Sequence, residues 1–82
     1  MPTVLHVDGL QVRIYPNDHR PEHVHVIGHG CEAVFRLHCP GGPPTLWKNF
    51  GFSQAELNHA MTILDTSLNK LCQSWRAIHG LY

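Results

Sequence analysis

Two runs decide the fold: Glu22-His23-Val24-His25-Val26-Ile27 and Cys31-Glu32-Ala33-Val34-Phe35-Arg36-Leu37-His38-Cys39, joined through Gly28-His29-Gly30. Both alternate apolar and polar residues, the period of a half-buried strand. A three-residue loop would pair Ile27 with Cys31 and put His25 on the face of Ala33 and Phe35. A two-residue Gly28-His29 turn, with Gly28 at positive φ, pairs Val26 with Cys31 and His25 with Glu32. That register gathers Val24, Val26, Cys31, Ala33, Phe35 and Leu37 on one apolar face. His23, His25, Glu32, Arg36 and His38 share the other, where Val34 is the misfit. Sorting polar from apolar selects the two-residue turn.

Upstream, Thr3 to Val7 and Leu10 to Tyr15 flank Asp8-Gly9, a favoured type I′ turn. The turn pairs Val7 with Leu10 and Leu5 with Val12, so Leu5, Val7, Leu10, Val12 and Ile14 share a face. His6, Gln11, Arg13 and Tyr15 fall on the other. Downstream, Pro40-Gly41-Gly42-Pro43-Pro44 reads as loop, and Thr45 to Asn49 as a short edge strand carrying Trp47. Ser53-Gln54-Ala55-Glu56 is a capping box, with Phe52 and Leu57 placed for a hydrophobic staple. Leu57, Met61, Leu64, Leu68, Leu71, Trp75 and Ile78 follow in steps of four and three, and Gly80 suits a C′ position. The pattern predicts one long helix from Ser53 to about His79. The expected fold is α+β: an antiparallel β-meander over residues 1–50, two hairpins plus the edge strand, covered on one face by the helix of residues 53–79.

With 82 residues, the chain has room for one domain (1–82) and none for a two-lobed enzyme with a deep cleft. Hydrophobic residues at 43% supply a core, and 15% charged residues are too few for a disordered segment. Six Lys/Arg balance six Asp/Glu, which argues against a uniformly basic nucleic-acid face but not against a small RNA-cutting site. The three cysteines, Cys31, Cys39 and Cys72, form no even disulfide framework. With no signal-peptide pattern and no apolar span, they predict free thiols in a reducing cytoplasm.

Histidine is the outlier, at eight residues. Asn17-Asp18-His19-Arg20-Pro21-Glu22-His23-Val24-His25 holds three of them. His23 and His25 are two apart on a strand and project from one face. Such a pair suits a general acid and base facing one substrate. Asp18 or Glu32 would orient the rings, and Arg20 or Arg36 would contact phosphate. The same pair, with His19 as a third ligand, suits zinc or another transition metal, although no closed zinc spacing is present. Asn17-Asp18 ahead of Pro21 is also ordinary turn chemistry. His6, His29, His38, His59 and His79 read as surface residues, and Trp47 and Trp75 as core anchors.

Met1-Pro2-Thr3-Val4, the stretch Asn17 to Val26, and Gly51-Phe52-Ser53 leading into a long helix with Trp75 resemble the small bacterial proteins of domain-of-unknown-function family 4160. The resemblance implies the toxin half of a toxin–antitoxin pair, encoded beside a second small domain and neutralised by it. The leading expectation is therefore a cytoplasmic toxin whose partner is a small antitoxin-like protein. Its chemistry would be metal-independent acid–base cleavage of RNA by Asp18, His19, Arg20, His23, His25, Glu32 and Arg36, without a cofactor. The alternatives are a metal-binding protein or metallohydrolase using His19, His23 and His25, and an interaction module without chemistry. A second copy of the chain is a further partner, and a membrane is not. On this reading His23→Ala and His25→Ala remove activity and spare stability.

Overall fold

The structure, a computed structural model, describes residues 3–80; Met1 and Pro2 of the resemblance lie outside them. Five strands form one antiparallel meander in the order β1-β2-β3-β4-β5: β1 Thr3–Val7, β2 Leu10–Arg13, β3 His23–Gly28, β4 Cys31–Arg36 and β5 Thr45–Phe50. Helices α1 Gln54–Thr66 and α2 Leu68–His79 follow. The α+β class is as expected, and β1 pairs β2 through Val7–Leu10 and Leu5–Val12.

The second hairpin keeps its faces but changes its register. The turn is His29-Gly30, with φ of 54° and 75°, a type I′ geometry that needs both residues left-handed. It pairs Gly28 with Cys31, Ile27 with Glu32 and His25 with Val34. The expected Gly28-His29 turn, and with it the direct His25–Glu32 pair, is thereby corrected by two residues. A two-residue slip leaves each side chain on its own face, so Val24, Val26, Ala33, Phe35 and Leu37 all enter the core. Val34, on the helix-free face, is nonetheless buried.

The single long helix is corrected to two. Ser67 sits between them with ψ of 15°, far from the helical value near −42°. Two threonines lead into the break: Thr62 Oγ1 donates to Asn58 O and Thr66 Oγ1 to Thr62 O. Such back-bonding competes with the helical ladder and bends it. The apolar stripe survives, with Leu57, Ala60 and Leu64 buried on α1 and Leu68, Leu71, Cys72 and Trp75 on α2. Ile78 leaves it at 39% exposed.

Cys39 and Cys72 are joined in a disulfide, 33 residues apart in sequence, and Cys31 is the free cysteine among the described residues. The expectation of three free thiols is corrected: Cys72 lies on the sheet-facing stripe of α2, where Cys39 arrives from the end of β4. Between Cys39 and β5, Gly42 has φ of +67° and a Cβ there would come within 2.6 Å of Leu68 Cδ2, so the Pro/Gly loop lies tight on α2. No helix among the described residues is long and apolar enough to cross a membrane.

The capping box is present as expected: the Glu56 N–H donates to Ser53 Oγ and the Ser53 N–H to Glu56 Oε1. The Ser53 N–H, and then its hydroxyl, hold the Glu56 carboxyl below its ordinary value. A lowered folded-state pKa contributes stability that is present above the unfolded value and lost as pH falls through the folded one. Ser53→Ala should cost about 1 kcal/mol, a fall of about 4–8 °C in Tm, and should reduce that acid sensitivity only in part in melts taken across pH 3 to 6, because alanine keeps the backbone N–H that bonds Glu56.

Candidate functional site

The helix-free face gathers its polar groups at one end of the sheet. Strand periodicity points His23 and His25 to that face from β3. The turn after β2 brings Asp18 over them: the Asp18 N–H donates to Tyr15 O and the Tyr15 N–H to Asp18 Oδ2, both at 3.0 Å. This is a β-turn over residues 15–18 whose last side chain bonds back to the Tyr15 N–H, in place of the Asx-turn expected of Asp18, and it fixes the carboxylate.

Hydrogen-bond partners fix the two imidazoles. His23 Nδ1 lies 2.8 Å from Pro21 O, so it donates there. His25 Nδ1 lies 3.1 Å from Glu32 Oε2 and donates to that carboxylate. The expected His25–Glu32 contact is therefore made, along the diagonal between pairs rather than directly across. Both Nε2 atoms then face Asp18, His25 at 3.3 Å from Oδ1 and His23 at 3.6 Å from Oδ2. One ligating atom from each of Asp18, His23 and His25 lies within 4.8 Å of the others.

Aromatic rings wall the cluster. Tyr15 meets His25 edge-on at 4.9 Å, and His23 lies 5.4 Å from both Trp47 and Trp75. His79 stacks on Trp75 at 4.0 Å and its Nε2 donates to Tyr15 O, so the end of α2 closes the cluster from the side. His23 is consequently buried at 7% exposed, not solvated on an open face. The neighbouring strands carry arginines: Arg13 pairs with His25 and Arg36 with His23. The Arg36 guanidinium lies 4.3 Å above the Trp47 ring, and its buried Nε has no hydrogen-bond partner.

Asp18, His23, His25 and Glu32 thus come together, with Arg36 beside them. His19 and Arg20 do not join: both are exposed on the loop before β3. The metal-ligand set His19, His23 and His25 is replaced by Asp18, His23 and His25, because the β-turn that closes on Tyr15 directs Asp18 inward and leaves His19 outside. Glu22, in the same stretch, accepts the Cys39 N–H and has a structural role. His6, His29, His38 and His59 are exposed, as expected.

Sequence reasoning missed Tyr15, Arg13 and Trp47. Arg13 and Tyr15 were legible as a shared face, but the β2–β3 pairing that sets them beside His25 crosses a nine-residue loop. Trp47 sits where the β4–β5 register shifts, between Val34/Lys48 and Phe35/Leu46. A bulge breaks the alternation from which its facing would be read.

The sequence matches the family described as Domain of unknown function (DUF4160) over residues 9–76. The chain belongs to this family. No curated protein and no solved structure matches it. The DUF4160 match spans β2 through most of α2, and so contains every residue of the cluster.

A cavity of about 260 Å³ lies elsewhere, between the hairpin turns and α1, lined by Asp8, Leu10, His29, Ala55, Glu56 and His59. His59 is paired with Asp8 at 2.9 Å and Glu56 serves the capping box, so those groups are already satisfied. The Asp18/His23/His25 cluster is the candidate site of this DUF4160 domain.

Proposed function

We propose that Asp18, His23 and His25 hold a divalent transition-metal ion and that the chain is a metal-dependent hydrolase. The supporting observation is the orientation of the ring nitrogens. Both Nδ1 atoms are spent on acceptors, and both Nε2 atoms converge on one carboxylate. Neutral imidazoles held this way aim lone pairs at an anion, and a cation among the three turns opposed acceptors into ligands. The separations of 3.3 and 3.6 Å suit neighbouring ligands at ~2.0–2.1 Å from a tetrahedral ion. Pro21 O and Glu32 would fix ring tautomer and aim, as outer partners of metal-bound histidines do. Asp18, His23 and His25 would hold the ion as three protein ligands and leave a position for water, and the chemistry the ion would supply is a more acidic, more nucleophilic water. Metal-independent acid–base work by His23 and His25 fits less well, because Asp18 fills the space between the imidazoles that a substrate would need.

Elemental analysis and melting of tag-free protein test this. At a hundredfold excess of ion over Kd, binding adds about 2.7 kcal/mol, a rise of more than ~10 °C in Tm. Asp18→Asn and His25→Ala should lose that rise while still folding. Background metal content, with no rise on adding zinc, manganese or iron(II), would remove the reading. In metal-free protein His23→Ala should cost about 2 kcal/mol, since the ring is buried between two tryptophans. His25→Ala should cost clearly less, and the two melts read the difference. The burial of His23 thus argues against the expectation that both substitutions spare stability.

A second reading, the toxin role that the family resemblance implies, is favoured by β5. This strand forms an edge of the sheet and leaves Leu46 at 44% and Phe50 at 60% exposed, an edge that a small protein partner would cover by strand addition. Growth arrest on inducing the chain alone, relieved by co-expressing its neighbour, is the expected result. Normal growth at confirmed soluble expression counts against it.

A further inference from the structure

Among the described residues, no carboxylate pairs with the cations on the helix-free face. Arg13, Arg36 and Lys48 all lie on it, opposite His25, His23 and Val34 in the strand registers. Every ion pair among the described residues involves a histidine, so none of the three is paired with a carboxylate. The face's own carboxylates, Asp18 and Glu32, are both engaged by His25. Arg13 is turned onto Gln11 and Tyr15. Arg36 has a buried Nε without a partner, next to His23. Net neutrality of the whole chain thus conceals a local excess of positive charge around the cluster.

Aromatic surface lies among these cations. Trp47 is 40% exposed and Phe50 60% exposed. Phe50 pairs with Glu32, and Trp47 contacts Arg36 and His23, so both belong to the helix-free side. Lys48 Nζ lies 5.4 Å from the Trp47 ring. Unpaired cations alternating with exposed aromatic rings are the composition of a surface that tracks a phosphate backbone and stacks unpaired bases. A duplex presents no free base faces to such rings, and a simple anion would leave them unused.

We propose that this face binds single-stranded nucleic acid, with phosphates held by Arg36, Arg13 and Lys48 and bases stacked on Trp47 and Phe50. The inference rests on the hydrolase reading only for the purpose of binding: the strand's phosphodiester would lie at the Asp18/His23/His25 centre. Recognition itself uses side chains outside the three proposed ligands. Three phosphate contacts on a single strand give a log–log salt slope of about −2, so binding is weak and strongly salt-dependent.

Fluorescence anisotropy tests it with short labelled oligouridine and oligothymidine, in chelator, so that the metal is not needed. Wild type should bind; Trp47→Ala should weaken binding about tenfold, the range of one lost base stack, and Arg36→Gln should weaken it and reduce the salt slope by about 0.7, one phosphate contact. Lys70→Gln, on the far side of the molecule in α2, should leave it unchanged. The two oligomers report whether RNA or DNA is preferred. Asp18→Asn should still bind the strand although it cannot hold an ion. Strand binding without metal uptake would sink the hydrolase reading and keep this one. Metal uptake with no binding of either oligomer would overturn this inference alone. Unchanged affinity in Trp47→Ala and Arg36→Gln, both melting as folded proteins, would also overturn it, as would a protein partner on β5 with no effect of either oligomer.

Discussion

Val24→Asp should leave the chain unfolded at 25 °C. Val24 is fully buried in the central strand β3, paired with Phe35 and enclosed by the core that sheet and helices share. The substitution removes about 1.5–3 kcal/mol of apolar burial. It also places a carboxylate where no Lys or Arg reaches, at a further penalty of several kcal/mol. Native domains are stable by only about 5–15 kcal/mol, and one this small sits toward the low end. Far-UV circular dichroism and a thermal melt read the outcome. A cooperative transition close to wild type would mean that Val24 faces solvent, and would overturn the facing of every histidine on β3.

That facing was legible in the sequence, and its reasons separate what could be read from what could not. Alternation fixes which residues share a face but not how far two strands are slid along each other by an even number. Hence Val24 and Val26 were correctly placed inside, while the hairpin turn was misplaced by two residues. The deciding fact was that His29, as well as Gly30, adopts a left-handed backbone, and a non-glycine residue gives little notice of that. In the helix, apolar spacing reports the buried stripe and passes through Ser67 without interruption. The break arises from threonine hydroxyls bonded to their own helix, which a hydrophobic pattern does not record.

The candidate site divides in the same way. His23, His25 and Glu32 could be assembled from strand period alone. Asp18 rather than His19 turns inward because its carboxylate closes the turn on Tyr15, a side-chain to backbone bond that ranks Asp above His at such a position. The burial of His23 was not legible. It depends on Trp75 from α2 and Trp47 from β5 meeting over a β3 residue, contacts remote in sequence and in one case set by a bulge.

Reducing the Cys39–Cys72 bond should have the second-largest effect. Cross-linking residues 33 apart removes chain entropy from the unfolded state worth about 3.7 kcal/mol. In a domain of this size that is a large share of the total stability, so reductant, Cys39→Ser and Cys72→Ser should each lower Tm by more than ~15 °C. The double variant should melt like either single one, because one bond is lost in all three. Thiol titration of oxidised protein in denaturant should find one reactive group, Cys31, and three after reduction. Three thiols without reductant would show that the bond does not form. The tie joins α2 to the loop between β4 and β5, whereas the proposed ligands are set by β3 and the Tyr15–Asp18 turn. Reduced protein still folded at low temperature should therefore keep its metal-induced rise in Tm. Loss of that rise on reduction would place the cluster's support in α2 rather than in the sheet.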